Sequence, residues 1–397
     1  MTSFERADRR DDQSQASSGS NVTALPRVKD LTQGDRRVTV ETDGSGIYDL
    51  LLTVWSVFGG EDDHSSFELG PDWFTTMAES VPADLEDELS FLSGSGGDVW
   101  LGLAGLVAVS PYPHDIGSVF GWLSRLDPVD LRAAILLHRC GGHADDRLSL
   151  AERAASGDEA ALDELLADEK VADHPDVSSL YRRLMALPMP ELRERLAAAL
   201  TRFRSEVYHP YEEKFTQATT RAAAARRALT RGADPERVIE DVTNGLDYRI
   251  QPGVNRLILI PSVVLRPWAV IDQHRDALGV FYPVADEFLD ADPDAPPSWV
   301  VKLHKALGDE RRLRILRRLS EGSAGLDDLS EMLGLTKSTV HHHVGQLRAA
   351  GLVRVRVDPM ANTKHYTLRP AVLPEAARTL DDYLRTNTAA GQTGRES

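Results

Sequence analysis

The sequence predicts a mainly α chain of α+β class: a large helical region closing in a small late β-sheet, then a compact C-terminal unit of helices and a β-hairpin. Three observations lead there. Apolar residues recur at helical spacing through most of 71–246. β-branched and aliphatic runs punctuated by Pro appear between 256 and 282. The acidic run DADPDAPP at 290–297 has linker composition, and the charge changes sign beyond it.

The 397 residues allow two to four domains at roughly 100–200 residues each. Apolar residues make up 42%, enough for a buried core. Lys and Arg number 45 against 62 Asp and Glu, a net −17. Spread evenly, that charge would repel a phosphate backbone. The single cysteine, Cys140, excludes an internal disulfide framework and multi-cysteine zinc or iron–sulfur sites. It fits a reducing compartment. The longest apolar runs, 99–109 and 257–265, fall short of the roughly 20 residues of a spanning helix. Residues 1–22 lack an apolar signal segment, so a cytoplasmic chain with no membrane partner is expected.

Residues 1–36 are polar and aperiodic and read as a disordered leader. Val38 and Val40 alternate like a short strand. At 47–58, Ile47, Leu50, Leu51, Val54, Val57 and Phe58 repeat at helical spacing until Gly59 and Gly60. Pro82 opens a helix with the face Leu85, Leu89 and Leu92. Residues 99–109 are apolar all round, which predicts a buried helix. A helix at 128–139 places Leu131, Ile135 and His138 on one face. An Ala-rich helix is expected over 150–166, with Asp158 and Glu159 on its wet side. The stretch 191–229 buries Leu192, Leu196, Leu200, Phe203 and Val207 and breaks at Pro210. A helix over 234–246 starts at Pro235 and stops at Asn244–Gly245. Short strands follow at 256–260, 263–265, 268–271 and 279–282.

Residues 296–370 hold 13 Lys or Arg and 7 Asp or Glu, a net of +6, so the rest of the chain carries −23. A concentrated positive face suits phosphate. Asp309 caps a helix with core positions Leu313, Leu316 and Leu319. Leu326, Leu329 and Leu333 line a short second helix, Gly334–Leu335 turns, and Thr336 caps a third that reaches about Ala350. That is helix-turn-helix spacing. In the third helix Val340, Val344 and Leu347 face inward, leaving Lys337, Ser338, His341, His342, Gly345 and Arg348 outward. Short polar groups at a helix start suit base edges in a major groove. Gly345 is read as letting that surface approach DNA closely. Residues 352–357 alternate Val with Arg354 and Arg356, and 363–368 returns as a second strand: a hairpin wing with an arginine face.

The runs KALGDERRLRILRRLSEG, LSEMLGLTKSTVHHHVGQLRAAGLVRVRV and KHYTL closely resemble the ArsR-type winged helix-turn-helix family over about 299–370. The resemblance implies a transcriptional regulator, usually a dimer on a palindromic double-stranded DNA operator, and most often a repressor. Metal-sensing members carry cysteines in the helix that here reads GLDDLSEML, or His and carboxylates in the terminal helix; 371–385 has no His. No metal and no cofactor are therefore expected. Leu373, Ala377, Leu380 and Leu384 form a stripe suited to homodimerisation. Thr336, Lys337, Ser338, Thr339, His341, His342, Gln346, Arg348, Arg354, Arg356, Lys364 and Tyr366 are the candidate DNA contacts. The domain reading is a leader at 1–36, a helical sensor or oligomerisation domain at 37–290, a linker at 291–298, the winged unit at 299–370, a dimerisation helix at 371–386 and a disordered tail at 387–397.

Other features read more plainly. Three consecutive histidines, 341–343, point about 100° apart and cannot all ligate one ion from one helix face. CGGH at 140–143 supplies half a metal site and reads better as a helix end. Tyr208, His209, Pro210 and Tyr211 read as a proline kink packed by rings. Trp268, His274, Phe281 and Tyr282 are core residues or the lining of a ligand cavity. The sequence has neither a Walker-type loop nor an HExxH or GxSxG pattern, and GSGG at 94–97 reads as a loop, so no enzyme is expected. The alternatives left open are an enzyme-like upstream domain with a DNA-binding appendage, and a purely structural dimerisation scaffold. A small-molecule effector is compatible with the sensor reading.

Overall fold

The structure, a computed structural model, describes residues 38–59, 64, 67–94, 98–139, 145–168, 171, 175–289, 296, 298–358, 363–369 and 372–390. The expected leader, the CGGH run, most of GSGG and nearly all of the linker lie outside the described residues. The described residues are mainly α, with two four-stranded sheets among them.

Strand β1 (Thr39–Thr42) leads into helix α1 (Gly46–Phe58). Ile47, Leu50, Leu51 and Val54 are buried, as are Tyr48, Asp49 and Leu52 on the remaining sides, so α1 is the central helix of the body. Around it are α2 (Pro71–Glu79), α3 (Ala83–Ser93), α4 (Asp98–Ala108), α5 (Ile116–Leu123) and α6 (Pro128–Arg139). The apolar run of α4 is buried as expected, and Trp100 donates its indole N–H to Ser93 Oγ at 2.6 Å. Leu85, Leu89 and Leu92 of α3 are also fully buried.

The expected single helix over 150–166 is two: α7 (Asp145–Ala155) and α8 (Glu159–Leu166). Gly157, at φ +103°, turns the chain between them. Asp158 is not on a wet helix flank; it caps α8 by accepting from the Ala161 amide at 3.1 Å. After α9 (Pro175–Met185), α10 (Met189–Phe203) runs through a π turn at Arg204–Tyr208 into α11 (His209–Leu229). The expected break at Pro210 is this π turn, with Pro210 in the first turn of α11. Its rings pack as predicted: Tyr208 on Phe215, and Tyr211 on Trp73.

Helix α12 (Pro235–Val242) is capped by Asp234 and stops at Asn244–Gly245, both at positive φ. Strand β2 is Leu246–Tyr248; Leu246, expected at a helix end, is in a strand. Strands β3 (Arg256–Ser262), β4 (Val270–His274) and β5 (Ala277–Pro283) complete the small sheet in the order β1-β3-β5-β4. Strands β1, β3 and β5 are parallel, and β4 returns antiparallel through the turn at Arg275. Alternate residues of β3 and β5 face opposite ways. Ile258, Ile260 and Phe281 enter the helical core, while Leu257, Leu259, Leu278, Val280 and Tyr282 pack on Val238 and Ile239 of α12. A sheet covered on both faces explains why these strands read as continuous apolar runs. The four candidate cavity residues do not converge, because Phe281 and Tyr282 lie on opposite faces of β5.

The C-terminal elements are α13 (Ser298–Leu307), α14 (Glu310–Glu321), β6 (Ala324–Gly325), α15 (Leu326–Leu333), α16 (Lys337–Ala349), β7 (Val353–Asp358), β8 (Thr363–Leu368) and α17 (Val372–Ala390). Leu313, expected in the core, is 48% exposed. The buried stripe of α14 is Ile315, Leu316 and Leu319, and at 100° per residue Leu313 falls outside it. Helix α17 continues to Ala390, past the expected tail start at 387. The second sheet has the order β2-β7-β8-β6. Strand β2, from before the expected linker, pairs parallel with β7 through Leu246 and Val355, Asp247 and Arg356, and Tyr248 and Val357. Leu246 belongs to the C-terminal core. Among the described residues, no helix is long and apolar enough to cross a membrane.

Candidate nucleic-acid interface

Local rules build the C-terminal unit. Asp309 accepts from the Arg312 amide at 3.0 Å and starts α14. Asp328 takes the Gly325 amide at 2.9 Å and starts α15. Gly334, at φ +65°, closes α15 in a left-handed turn, with the Leu335 amide donating to the Ser330 carbonyl at 3.2 Å. Thr336 Oγ1 then accepts from the Thr339 amide at 3.3 Å and starts α16. Ile315, Leu316, Leu329, Val340, Val344 and Leu347 form the shared core.

That core fixes which side of α16 faces out. Thr336, Lys337, Ser338, His341 and His342 are exposed, while Thr339 and Gln346 are half-buried. Lys337 pairs with Asp327 of α15 at 2.6 Å. His343 is buried, and neither ring nitrogen has a hydrogen-bond partner. Burial lowers its pKa below the ordinary value of 6.5. Among the described residues, no three His, Cys, Asp or Glu side chains come together as a metal site.

Two readings are overturned. Tyr366, a candidate DNA contact, is 3% exposed in the core opposite Val355. Its position on β8 puts it on the inner face of the hairpin. Gly345, expected to face DNA, is buried against Trp268 of the body. A glycine in mid-helix does signal a close approach, but the approaching group is an indole ring.

The three candidate arginines are engaged within the molecule. Arg348 lies over the Trp268 ring, 5.2 Å from its centroid. Arg354 pairs with Glu240 of α12, and Arg356 with Asp247 of β2 at 2.8 Å. Lys364 reaches solvent; partial burial of its amine and the Arg348 charge lower its pKa. Sequence reasoning missed Glu240, Asp247 and the contact of Trp268 with α16. Each meets its partner across about 80 to 115 residues of chain, and no local periodicity reports such a contact.

Residues 309–355 match the model of the bacterial regulatory protein arsR family. This segment is an arsR-family module. Two curated relatives match the same region. The transcriptional activator HlyU of Vibrio cholerae serotype O1 is 41% identical over 68 residues, 17% of this chain and 61% of that protein. The HTH-type transcriptional regulator KmtR of Mycobacterium tuberculosis is 34% identical over 74 residues, 19% of this chain and 57% of that protein. The chain thus spans about three fifths of the length of the curated relatives it matches. The solved structure of HlyU from Vibrio cholerae is 34% identical, covering 22% of this chain and 94% of that one, with a TM-score of 0.18. The arsR-type module accounts for the winged helix-turn-helix; the helical body upstream lies outside these matches.

Proposed function

We infer that the chain is a sequence-specific, DNA-binding transcription regulator. One observation carries the reading: a capped recognition helix, α16, presents Lys337, Ser338, His341 and His342 to solvent from a unit of net +6. Thr336, Thr339 and Gln346 flank the same edge, and Lys364 extends it toward the wing. Arg354 and Arg356 reach phosphate once they exchange their carboxylate partners. The body's charge of −23 disfavours wrong docking angles.

The protein acts as a homodimer in this reading. An apolar groove of about 390 Å³ between α13 and α17 is lined by Leu303, Leu307, Leu373, Ala377, Leu380 and Leu384. Leu384 is 60% exposed there. Two modules then read half-sites of a palindrome about 34–36 Å apart. The body serves as an effector-sensing or oligomerisation domain, and repression is the outcome the family resemblance implies. Selection of bound duplexes from a random-sequence pool by the full chain tests the reading. Enrichment of a two-fold symmetric site, weakened by Ser338→Ala or by His341→Ala with His342→Ala, supports it. Failure to enrich any duplex overturns it. Leu384→Asp is expected to shift the sedimenting species from dimer to monomer, and a reporter gene gives the regulatory sign.

A further inference from the structure

The indole of Trp268 fills the place where a side chain at position 345 would stand. A Cβ on Gly345 would lie 2.5 Å from Trp268 Cη2, 3.3 Å from Cζ3 and 3.6 Å from Cζ2. Arg348, one turn further along α16, lays its guanidinium over the same ring. His341 is one turn earlier, about 6 Å back along the axis at 1.5 Å per residue. The ring therefore packs on the same side of the recognition helix as Ser338 and His341, one to two turns further toward its C-terminal end.

The segment that carries Trp268 is tied to the body's core. The Trp268 amide donates to the Leu265 carbonyl at 2.6 Å, and the Leu265 amide donates to Ser262 Oγ at 3.1 Å. Ser262 Oγ donates to Asp49 of α1 at 2.5 Å, and Asp49 also takes the Val263 amide at 3.0 Å. Arg266 is buried and grips Glu68, Asp286 and the Val284 carbonyl. Glu68 in turn takes Lys302 of α13 at 2.5 Å. The ring is thus joined to the end of β3 by a chain of hydrogen bonds of 2.5–3.1 Å, and the neighbouring Arg266–Glu68 pair also holds α13, the helix just before the matched segment.

We propose that Trp268, a residue of the upstream body, is a positioning residue for the recognition helix and the point through which the body sets its aim. The proposal rests on the DNA-reading function and adds a regulatory contact to it. Arg348 is half-buried at this contact, and its burial lowers its pKa from the usual arginine value.

The test uses the full chain, a duplex enriched from a random pool by the wild type, and a scrambled duplex of equal length. The quantity read is the ratio of the two affinities. Trp268→Ala is expected to lower that ratio roughly tenfold, within the discrimination one base contact carries. Its affinity for the scrambled duplex should stay unchanged. A merely structural loss would weaken both duplexes alike, which would overturn the proposal. Gly345→Ala drives a methyl into the ring and should lower the ratio similarly. Adding Trp268→Phe, a shorter ring, should restore it. This pair decides the matter if Trp268→Ala does not fold. Wild-type discrimination in Trp268→Ala, or strict additivity of Gly345→Ala and Trp268→Phe, overturns the proposal and leaves the DNA reading intact. A wild type that enriches no duplex overturns both.

Discussion

Replacing Glu240 by Gln and Asp247 by Asn removes the two carboxylates that hold Arg354 and Arg356. Both arginines are more than a third exposed, so the pairs add little to stability and the melting temperature should move little. Their effect on DNA is larger. Each released guanidinium can meet one phosphate, and each phosphate neutralised steepens the plot of log affinity against log salt by about 0.9. Two arginines steepen it by about 1.8. Between 50 and 200 mM salt, the double variant should then lose about twelvefold more affinity than the wild type. At low salt it should bind more tightly. Fluorescence anisotropy of a labelled duplex over a salt series measures the slope. Parallel lines for variant and wild type would show that these carboxylates do not compete with DNA, and would refute the reasoning.

Three further outcomes follow from buried groups. Burial pushes the Asp49 carboxyl up to about 6, against the hydrogen bonds from Ser262 and Val263. The folded chain then keeps a proton that the unfolded chain releases above about 4, so stability falls as pH rises through that window, by of the order of 3 kcal/mol, and levels off above it. Asp49→Asn should abolish that fall in urea unfolding between pH 4 and 7, and a persisting wild-type slope would acquit Asp49. For His343 the sign is opposite: its lowered pKa means that stability is lost as pH falls through 6.5. Thermal melts at pH 5.5 and 7.5 should differ less in His343→Leu than in the wild type. Tyr366→Ala should cost about 3–5 kcal/mol of stability without altering the salt slope, since the ring is core; a changed slope would return Tyr366 to the DNA face.

The helices were legible wherever one chain segment carries its own burial pattern. Leu85, Leu89 and Leu92, or Leu192 through Val207, state a face at fixed spacing, and that face is buried. The turn of the arsR-type module was legible for a similar reason: Asp309, Gly334 and Thr336 act on neighbours three or four residues away. What could not be read is pairing at a distance. A three-residue strand such as β2 has no periodicity to show, and nothing near Leu246 announces Val355 as its partner. The arginines of β7 looked free because their alternation is local and their carboxylates are not. Leu313 was misplaced for a smaller reason: a spacing of three to Leu316 fits two stripes, and only the packed structure chooses between them.

Strand β2 closes the outer edge of the hairpin, and it comes from the far side of the linker. Excising the reader at residue 299 would strip that strand away. Backbone donors and acceptors of β7 would be bared as a sticky template, and a cut piece would find company by borrowing a strand from its neighbour. The smallest unit that can be trusted alone therefore begins upstream of Leu246, inside what looked like another domain.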